Sequence, residues 1–376
     1  MPRPVVVDPR FPHRLRELRQ QRGLSLRNLA KRAYHGKTLL HELETGAATP
    51  RVEVAHQLDA ALDAGGELAA MVYEVDGTLA ESDAVDRLAY ASAHPRRIDA
   101  AAIGSLGTML AHQRRLEDSI GSALLVGPVL AQLRAIERLV DEAPDTDLRR
   151  ALVDVAGQWA HFAGWLSATT NDQAGGRAWY LRAMEWASEA GNPDMVATTL
   201  SMRGHLAWTC NQTRAMIELS RAAAWQPASL GVRALAVQQE GRGLAILGDG
   251  RASDDRLDRA EEMAATAAAD PGSQPDWIYF YDPAYFALQR GLAHLYLGRH
   301  ETAAALLVDG LDRLPPEIRE SDWIGWYVLQ LAMAQQGAGN LDAAVAATEE
   351  AGRIAVTARA ARLGGEVEQQ ARALGL

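Results

Sequence analysis

The chain has 376 residues, of which 48% are apolar and 23% charged, with a formal net charge of -10. These values fit a folded protein of two or three domains and exclude a disordered chain. The single cysteine, Cys210, excludes an internal disulfide framework and a multi-cysteine zinc site, and no apolar run approaches the ~18 residues of a membrane span.

The opening residues MPRPVVVDPRFPH lack the long apolar core of a secretory signal, which predicts a cytoplasmic protein. Charge is distributed unevenly. Up to Asp63 there are eleven Lys and Arg against seven Asp and Glu, so this head carries +4 and the remainder -14. Both lysines of the chain, Lys31 and Lys37, lie in the head. A basic head on an acidic body predicts phosphate contact by the first and repulsion of nucleic acid by the second.

Four short helices are predicted in the head. Pro12 suits a first turn, Leu15 and Leu18 mark an apolar face, and Gly23 stops helix one. Ser25 caps helix two, whose inward residues are Leu26, Leu29, Ala30 and Ala33. Helix three runs from about Lys37 to Glu44, with Leu40 and Leu43 inward and Gly46 past its end. Pro50 opens helix four through Val54, Leu58 and Leu62, which ends at Gly65-Gly66. No strand is expected.

Ser25, Leu29, Ala30, Ala33, Leu40, Leu43, Glu44 and Gly46 resemble the repressor-type (Xre-like) helix-turn-helix domain. In that family a small residue at Ala30 lets two helices cross closely, and the outer face of helix three enters a major groove. The resemblance implies an ion pair between Arg19 and Glu44, and a DNA-contact set of Ser25, Arg27, Lys37, Thr38, His41, Glu42 and Arg51. Lys37 can donate to guanine O6 or N7. Two readings of Glu42 stand: it accepts from cytosine N4, or it is a solvated charge that repels phosphates. Tyr34 stands where the family turn often has glycine, and Gly36 replaces the usual Ser or Thr cap, a loss of about 1 kcal/mol. The loop ATPR (48–51) is also poor in basic residues. Weak phosphate contact per head implies that two heads act together, hence a homodimer.

Beyond a linker over 73–95, the chain is rich in alanine and leucine at helical periodicity. With Gly291 at position 8 of a tetratricopeptide repeat, Gly298, Ala303, Leu307 and Pro315 fall at positions 15, 20, 24 and 32, where small residues, a bulky groove filler and a terminator belong. Equivalents of Gly291 are Gly164, Gly204, Gly241 and Ala332, spaced 40, 37, 50 and 41 residues apart in register order with Gly291 between the last two. The copy at Gly204 is weak, with Asn211, Met216 and Ser220 at the diagnostic places. The expectation is an all-α chain: a helix-turn-helix domain over 1–72, the linker, lead-in or dimerisation helices over 96–150, and a tetratricopeptide-like solenoid over 151–376. Phrases such as 94-HPRRIDAAAI, 112-HQRRLEDSIG, 161-HFAGWLS and 277-WIYFYDPAY resemble actinobacterial repressor-type regulators with such a sensor body. Broader kin of that family bind signalling peptides inside the solenoid.

The long interval between Gly241 and Gly291 carries Trp277, Tyr279, Tyr281, Asp282 and Tyr285, which with Arg203 make a candidate ligand wall. The alternative is that these aromatics fill the core. Trp159, Phe162, Trp165, Trp179 and Trp186 read as packing, and Cys210 as a small buried residue. Arg114 and Arg115 either face a cavity or form surface ion pairs. No HExxH, nucleophile elbow or phosphate loop appears, and 241-GRGLAILG follows no strand, so neither a catalytic residue, a metal nor a cofactor is expected. The sequence thus predicts a non-enzymatic regulator that binds a double-stranded operator as a homodimer, modulated by a small molecule, a peptide or a protein partner. Its rival is an interaction adaptor with a vestigial DNA-binding head.

Overall fold

A computed structural model describes residues 5–7, 11–46, 48, 50–62, 64, 68, 72–74, 98–144, 147–315, 318–319, 321–358 and 360–376. Most of the expected linker, together with Thr49, Gly65, Gly66 and the leading HPRR of 94–97, lies outside the described residues. The chain divides into two compact units, Met1–Arg87 and Leu88–Leu376.

In the first unit, α1 (Phe11–Gln21), α2 (Leu26–Arg32), α3 (Lys37–Thr45) and α4 (Val52–Leu62) close around Phe11, Leu15, Leu29, Leu40, Leu43 and Leu58, all fully buried. Ser25 caps α2 by accepting the Asn28 N–H at 3.2 Å. Gly46 ends α3 in the left-handed region (φ 75°) and gives its N–H to the carbonyls of Glu42 and Leu43. Helix four starts later than Pro50. Ala55 N–H bonds to the Arg51 carbonyl at 3.0 Å, so Arg51 flanks the helix and Val52 is its first residue. The head also holds two strands that the sequence did not suggest. β1 (Val5–Val7) pairs antiparallel with β2 (Val72–Glu74), Val6 opposite Tyr73. Three residues are too short for a visible alternation, and their partner lies more than sixty positions away.

The second unit is a stack of helix pairs. After α5 (Ala100–Ile120) and α6 (Val126–Glu142) come α7 (Asp147–Thr169) with α8 (Gln173–Ala190), α9 (Pro193–Thr209) with α10 (Thr213–Ala224), and α11 (Leu230–Ile246) with α12 (Gly250–Ala268). Two more pairs follow: α13 (Pro283–Tyr296) with α14 (His300–Asp312), and α15 (Asp322–Gly337) with α16 (Leu341–Thr357). A final helix, α17 (Ala361–Leu374), covers the end against α15 and α16. The first helices of successive pairs touch one another in order, α7 to α9 to α11 to α13 to α15, and so form one layer.

The repeat register is visible at two places in each pair. Seven residues after each register position the chain turns through the left-handed region, at Asn171, Asn211, Gly248, Gly298 and Gly339. Asparagine tolerates that conformation, which explains why the copies lacking glycine there still form their turns. At the crossing itself there is no room for a side chain. A Cβ on Gly164 would lie 2.6 Å from the Tyr180 ring, one on Gly241 3.1 Å from Leu257, and one on Gly291 2.8 Å from Leu307.

Helix α5 departs from the repeat and lies along α7. The Trp159 indole donates to the Leu106 carbonyl at 3.1 Å, and the Trp165 indole to Glu117 at 3.1 Å. Ser122 Oγ also donates to Glu117, at 2.5 Å. Burial pushes the Glu117 carboxyl up to about 7, partly offset by the Ser122 and Trp165 hydrogen bonds and reinforced by Asp118 and Asp322.

All nine tryptophans lie in this second unit, so their fluorescence follows its unfolding alone. Gly291→Ala should lower the thermal midpoint. Alanine gains about 1 kcal/mol in helix propensity, but overpacking against Leu307 and the Ala303 carbonyl costs about 1–3 kcal/mol. Gly104→Ala on α5, whose Cβ would meet nothing within 4 Å, should raise the midpoint instead. A rise in both would contradict the close crossing. Folded Glu117 keeps its proton to about pH 7, whereas the unfolded chain releases it near 4.5. The stability this contributes, on the order of 3 kcal/mol, is fully present below pH 4.5 and is lost as pH rises through 7. Buried His161 and His205, both held down to about 3, act in the opposite sense below pH 6.5, so the readout is the difference: the midpoint of the wild type minus that of Glu117→Gln should fall from pH 4.5 to 8.

Candidate functional site

Helix α3 is held by a clamp at one end and left open at the other. Arg19 of α1 reaches Glu44 with two parallel bonds, Nε to Oε1 at 2.5 Å and Nη2 to Oε2 at 2.9 Å. Its third nitrogen donates to the Leu24 carbonyl at 2.8 Å, so one guanidinium ties α1, the α1–α2 turn and α3 together. Both side chains are largely buried, 13% and 5% exposed, and the Glu44 hydrogen bond holds the Arg19 guanidinium above its ordinary range. At the other end Gly36 precedes α3 with no side-chain cap.

This seating sorts the residues of α3. Leu40 and Leu43 face the core, while Lys37, Thr38 and His41 are exposed on the opposite side. Glu42 is half-buried beside them and makes no side-chain hydrogen bond or ion pair among the described residues. Ser25, Arg27 and Arg51 are also exposed. The arrangement presents one lysine, one hydroxyl, one imidazole and one carboxylate from a single helix, flanked by two arginines, which suits a base-edge reader bordered by phosphate contacts. Tyr34, between α2 and α3, takes a positive φ of 57° with its side chain 93% exposed. A bulky residue held there is strained. The sequence marked it only as a missing glycine, yet it sets an aromatic ring at the edge of the exposed face.

The residues expected to form a ligand wall separate into two groups. Trp277 and Tyr279 dock against α5 and α9: the Trp277 indole donates to Thr198 of α9 at 3.1 Å, Arg114 of α5 lies 5.8 Å over its ring, Arg115 lies 5.9 Å over Tyr279, and the Tyr279 hydroxyl bonds to Asp118. Arg114 and Arg115 therefore meet aromatic faces. Asp282 caps α13 by accepting the Tyr285 N–H at 2.9 Å. Tyr281 and Tyr285 pack on each other, ring centroids 5.5 Å apart. Arg203 is half-buried on α9.

A second cluster, which the sequence did not single out, lies on the layer of first helices. Trp165, His205, Trp208, Trp326 and Tyr327 follow one another in ring contacts, the first two tilted and the last two edge to face, with centroids 5.0–5.7 Å apart. Trp208 of α9 and Trp326 of α15 thus meet across two intervening helix pairs. Arg242 of α11 stands over Trp208 at 4.5 Å. Its Nη1 donates to Gln289 Oε1 at 3.0 Å, and its Nη2 lies 3.4 Å from His205 Nδ1. Gln289 in turn accepts from Gln238 at 2.9 Å and donates to the Tyr327 hydroxyl. Burial and the neighbouring Arg242 push His205 down to about 3, so its ring is neutral and Nδ1 can accept. The available signal was the run 237-VQQEGRG: a helix with thirteen of its seventeen residues buried that nevertheless holds Gln238, Gln239, Glu240 and Arg242. Among the described residues no group of His, Cys, Asp or Glu could hold a metal ion, and no helix is long and apolar enough to cross a membrane.

Residues 10–71 match the helix-turn-helix domain family. No curated protein matches the chain. Among solved structures, BtubC (BKLC) from P. vanneervenii is similar over 62% of this chain and 91% of its own, at 14% identity and a TM-score of 0.41. PlcR of Bacillus thuringiensis, solved in complex with the peptide PapR7 and DNA, is similar over 80% of this chain and 95% of its own, at 10% identity and a TM-score of 0.27. The family match covers the four helices whose packing seats Arg19 against Glu44.

Proposed function

We propose that the chain is a cytoplasmic, dimeric DNA-binding transcriptional regulator whose helical-repeat body senses a small ligand, a peptide or a partner. The observation that carries this reading is the exposed face of α3. Lys37, Thr38 and His41 project from a helix whose other side is clamped by Arg19 and Glu44 and buried through Leu40 and Leu43. Such a face, rigid on its support and polar outward, fits a major groove.

The loop after α3 offers Arg51 alone to phosphate, and α3 starts without a side-chain cap. Useful affinity then requires two heads on adjacent half-sites, about 34 Å or a multiple apart. In this reading a ligand with different affinity for two arrangements of the body shifts the balance between them, and the dimer converts the shift into head spacing. Glu42 favours cytosine by accepting from its N4.

Mobility-shift titration with the protein's own promoter at low salt should show saturable binding. A folded dimer that retards no fragment would contradict the reading and leave the interaction adaptor. Lys37→Ala combined with Thr38→Ala should relax operator choice, by about 1–3 kcal/mol for each base-reading side chain removed. Arg51→Ala should weaken all fragments alike and reduce the slope of log affinity against log salt by about 0.9. Unchanged operator choice in the double variant would remove Lys37 and Thr38 as base readers.

A further inference from the structure

The body contains a buried cation with no anion beside it among the described residues. Arg242 is 3% exposed, and among the described residues no carboxylate lies within ion-pair distance of it. Three other arginines of the body are matched: Arg221 with Glu240 at 2.8 Å, Arg290 with Glu261 at 2.8 Å and Asp258 at 2.7 Å, and Arg299 with Asp254 at 2.9 Å. Glu240 sits only two positions before Arg242 but points the other way, to Arg221 and Arg256. Arg242 has five N–H donors and two side-chain partners, both neutral, and its Nε has no partner among the described residues. An uncompensated buried charge is unfavourable, so the fold keeps this one at a cost.

Its surroundings describe what would complete it. Nε and Nη2 form one edge of the guanidinium, the edge that a carboxylate grips with two parallel bonds. Trp208, Tyr285 and His205 stand beside it and Trp326 stands against Trp208, each of them half-buried. These rings keep accessible area at depth, which makes them walls rather than core. The Gln238–Gln289–Tyr327 chain fixes Gln289 Oε1 on Arg242 and so fixes the orientation of the guanidinium. Among the described residues Arg242 is the one unpaired cation beside these rings. The nearby Arg362 is paired with Glu366 at 3.0 Å, and Glu366 also accepts from the Trp326 indole. A dianion would meet a carboxylate and, among the described residues, no second free cation.

We propose that Arg242 is the anion contact of a ligand site on the layer of first helices, and that the ligand is a monocarboxylate with a flat aromatic body. The proposal rests on the reading of the body as a sensor and names the chemistry it senses. An aromatic carboxylate arises either as a free acid or as the C-terminal aromatic residue of a peptide. In both the carboxylate engages Arg242 and the ring stacks against Trp208 and Trp326.

The test uses the full chain and calorimetric titration with phenylacetate and indole-3-acetate as free acids, Gly-Gly-Phe as a peptide terminus, and phenylacetamide as the uncharged control. At least one carboxylate should bind saturably and at least about tenfold more tightly than the amide, the size expected of a charge-assisted pair. Which carboxylate binds separates the free acid from the peptide. Arg242→Gln should abolish that preference while raising the thermal midpoint, because it removes the unpaired charge; a residue serving only structure would lower the midpoint. Equal binding of acid and amide, no saturable binding of any carboxylate at millimolar concentration, or unchanged affinity in Arg242→Gln would overturn the proposal. Promoter binding measured on the same preparations keeps the two readings apart. Promoter binding without carboxylate binding defeats this site alone, and carboxylate binding without promoter binding defeats the regulator.

Discussion

Each helix pair of the body depends on one residue at its crossing that has almost no side chain. Gly164, Gly204, Gly241 and Gly291 leave no space for a Cβ, and Ala332 is fully buried at the same register position. The depth of that approach brings the first helices of successive pairs into one layer. On that layer Trp208 of the second pair touches Trp326 of the fifth. A bulkier crossing would spread the pairs, part those rings and expose Arg242. The surface of that layer is therefore a consequence of small residues placed one helix away from it.

In the head the corresponding constraint is electrostatic. Arg19 commits all three nitrogens to Glu44 and the Leu24 carbonyl, and so positions α3 from its C-terminal end. The N-terminal end, started by Gly36 and preceded by the strained Tyr34, has no matching support among the described residues. A helix anchored at one end keeps its outward face defined while its free backbone N–H groups point toward solvent, where a phosphate could satisfy them. The two glutamates of α3 thus differ in kind: Glu44 belongs to the scaffold, whereas Glu42 has no partner among the described residues.

What could be read in advance follows from the range of each interaction. The Ser25 cap, the Gly46 turn and the inward leucines are local patterns, and the structure keeps them. The repeat register was legible because a small residue and a bulky partner recur sixteen positions apart, as Gly291 and Leu307 do. The copy at Gly204 looked weak because Asn211, Met216 and Ser220 stand at its diagnostic places; in the structure Asn211 makes the turn, and Gln239 fills the crossing, 2.7 Å from where a Cβ would stand. Both are physically sound substitutes that a pattern of glycine and leucine misses. The β1–β2 pair and the Arg242 cluster were not legible, since each joins residues that only the folded chain brings together. The aromatic run at 277–286 had the opposite fate: conspicuous in sequence, it is partly taken up in docking α5 and capping α13.

The central claim is that α3 reads DNA through a major groove and does so twice on one site. Methylation protection of guanine N7 in promoter DNA bound by the full chain tests it most directly, because N7 lies only in that groove. The account predicts protection in two patches centred about 34 Å or a multiple apart. Bound DNA whose guanines all remain reactive, or a single protected patch at saturation, would contradict it.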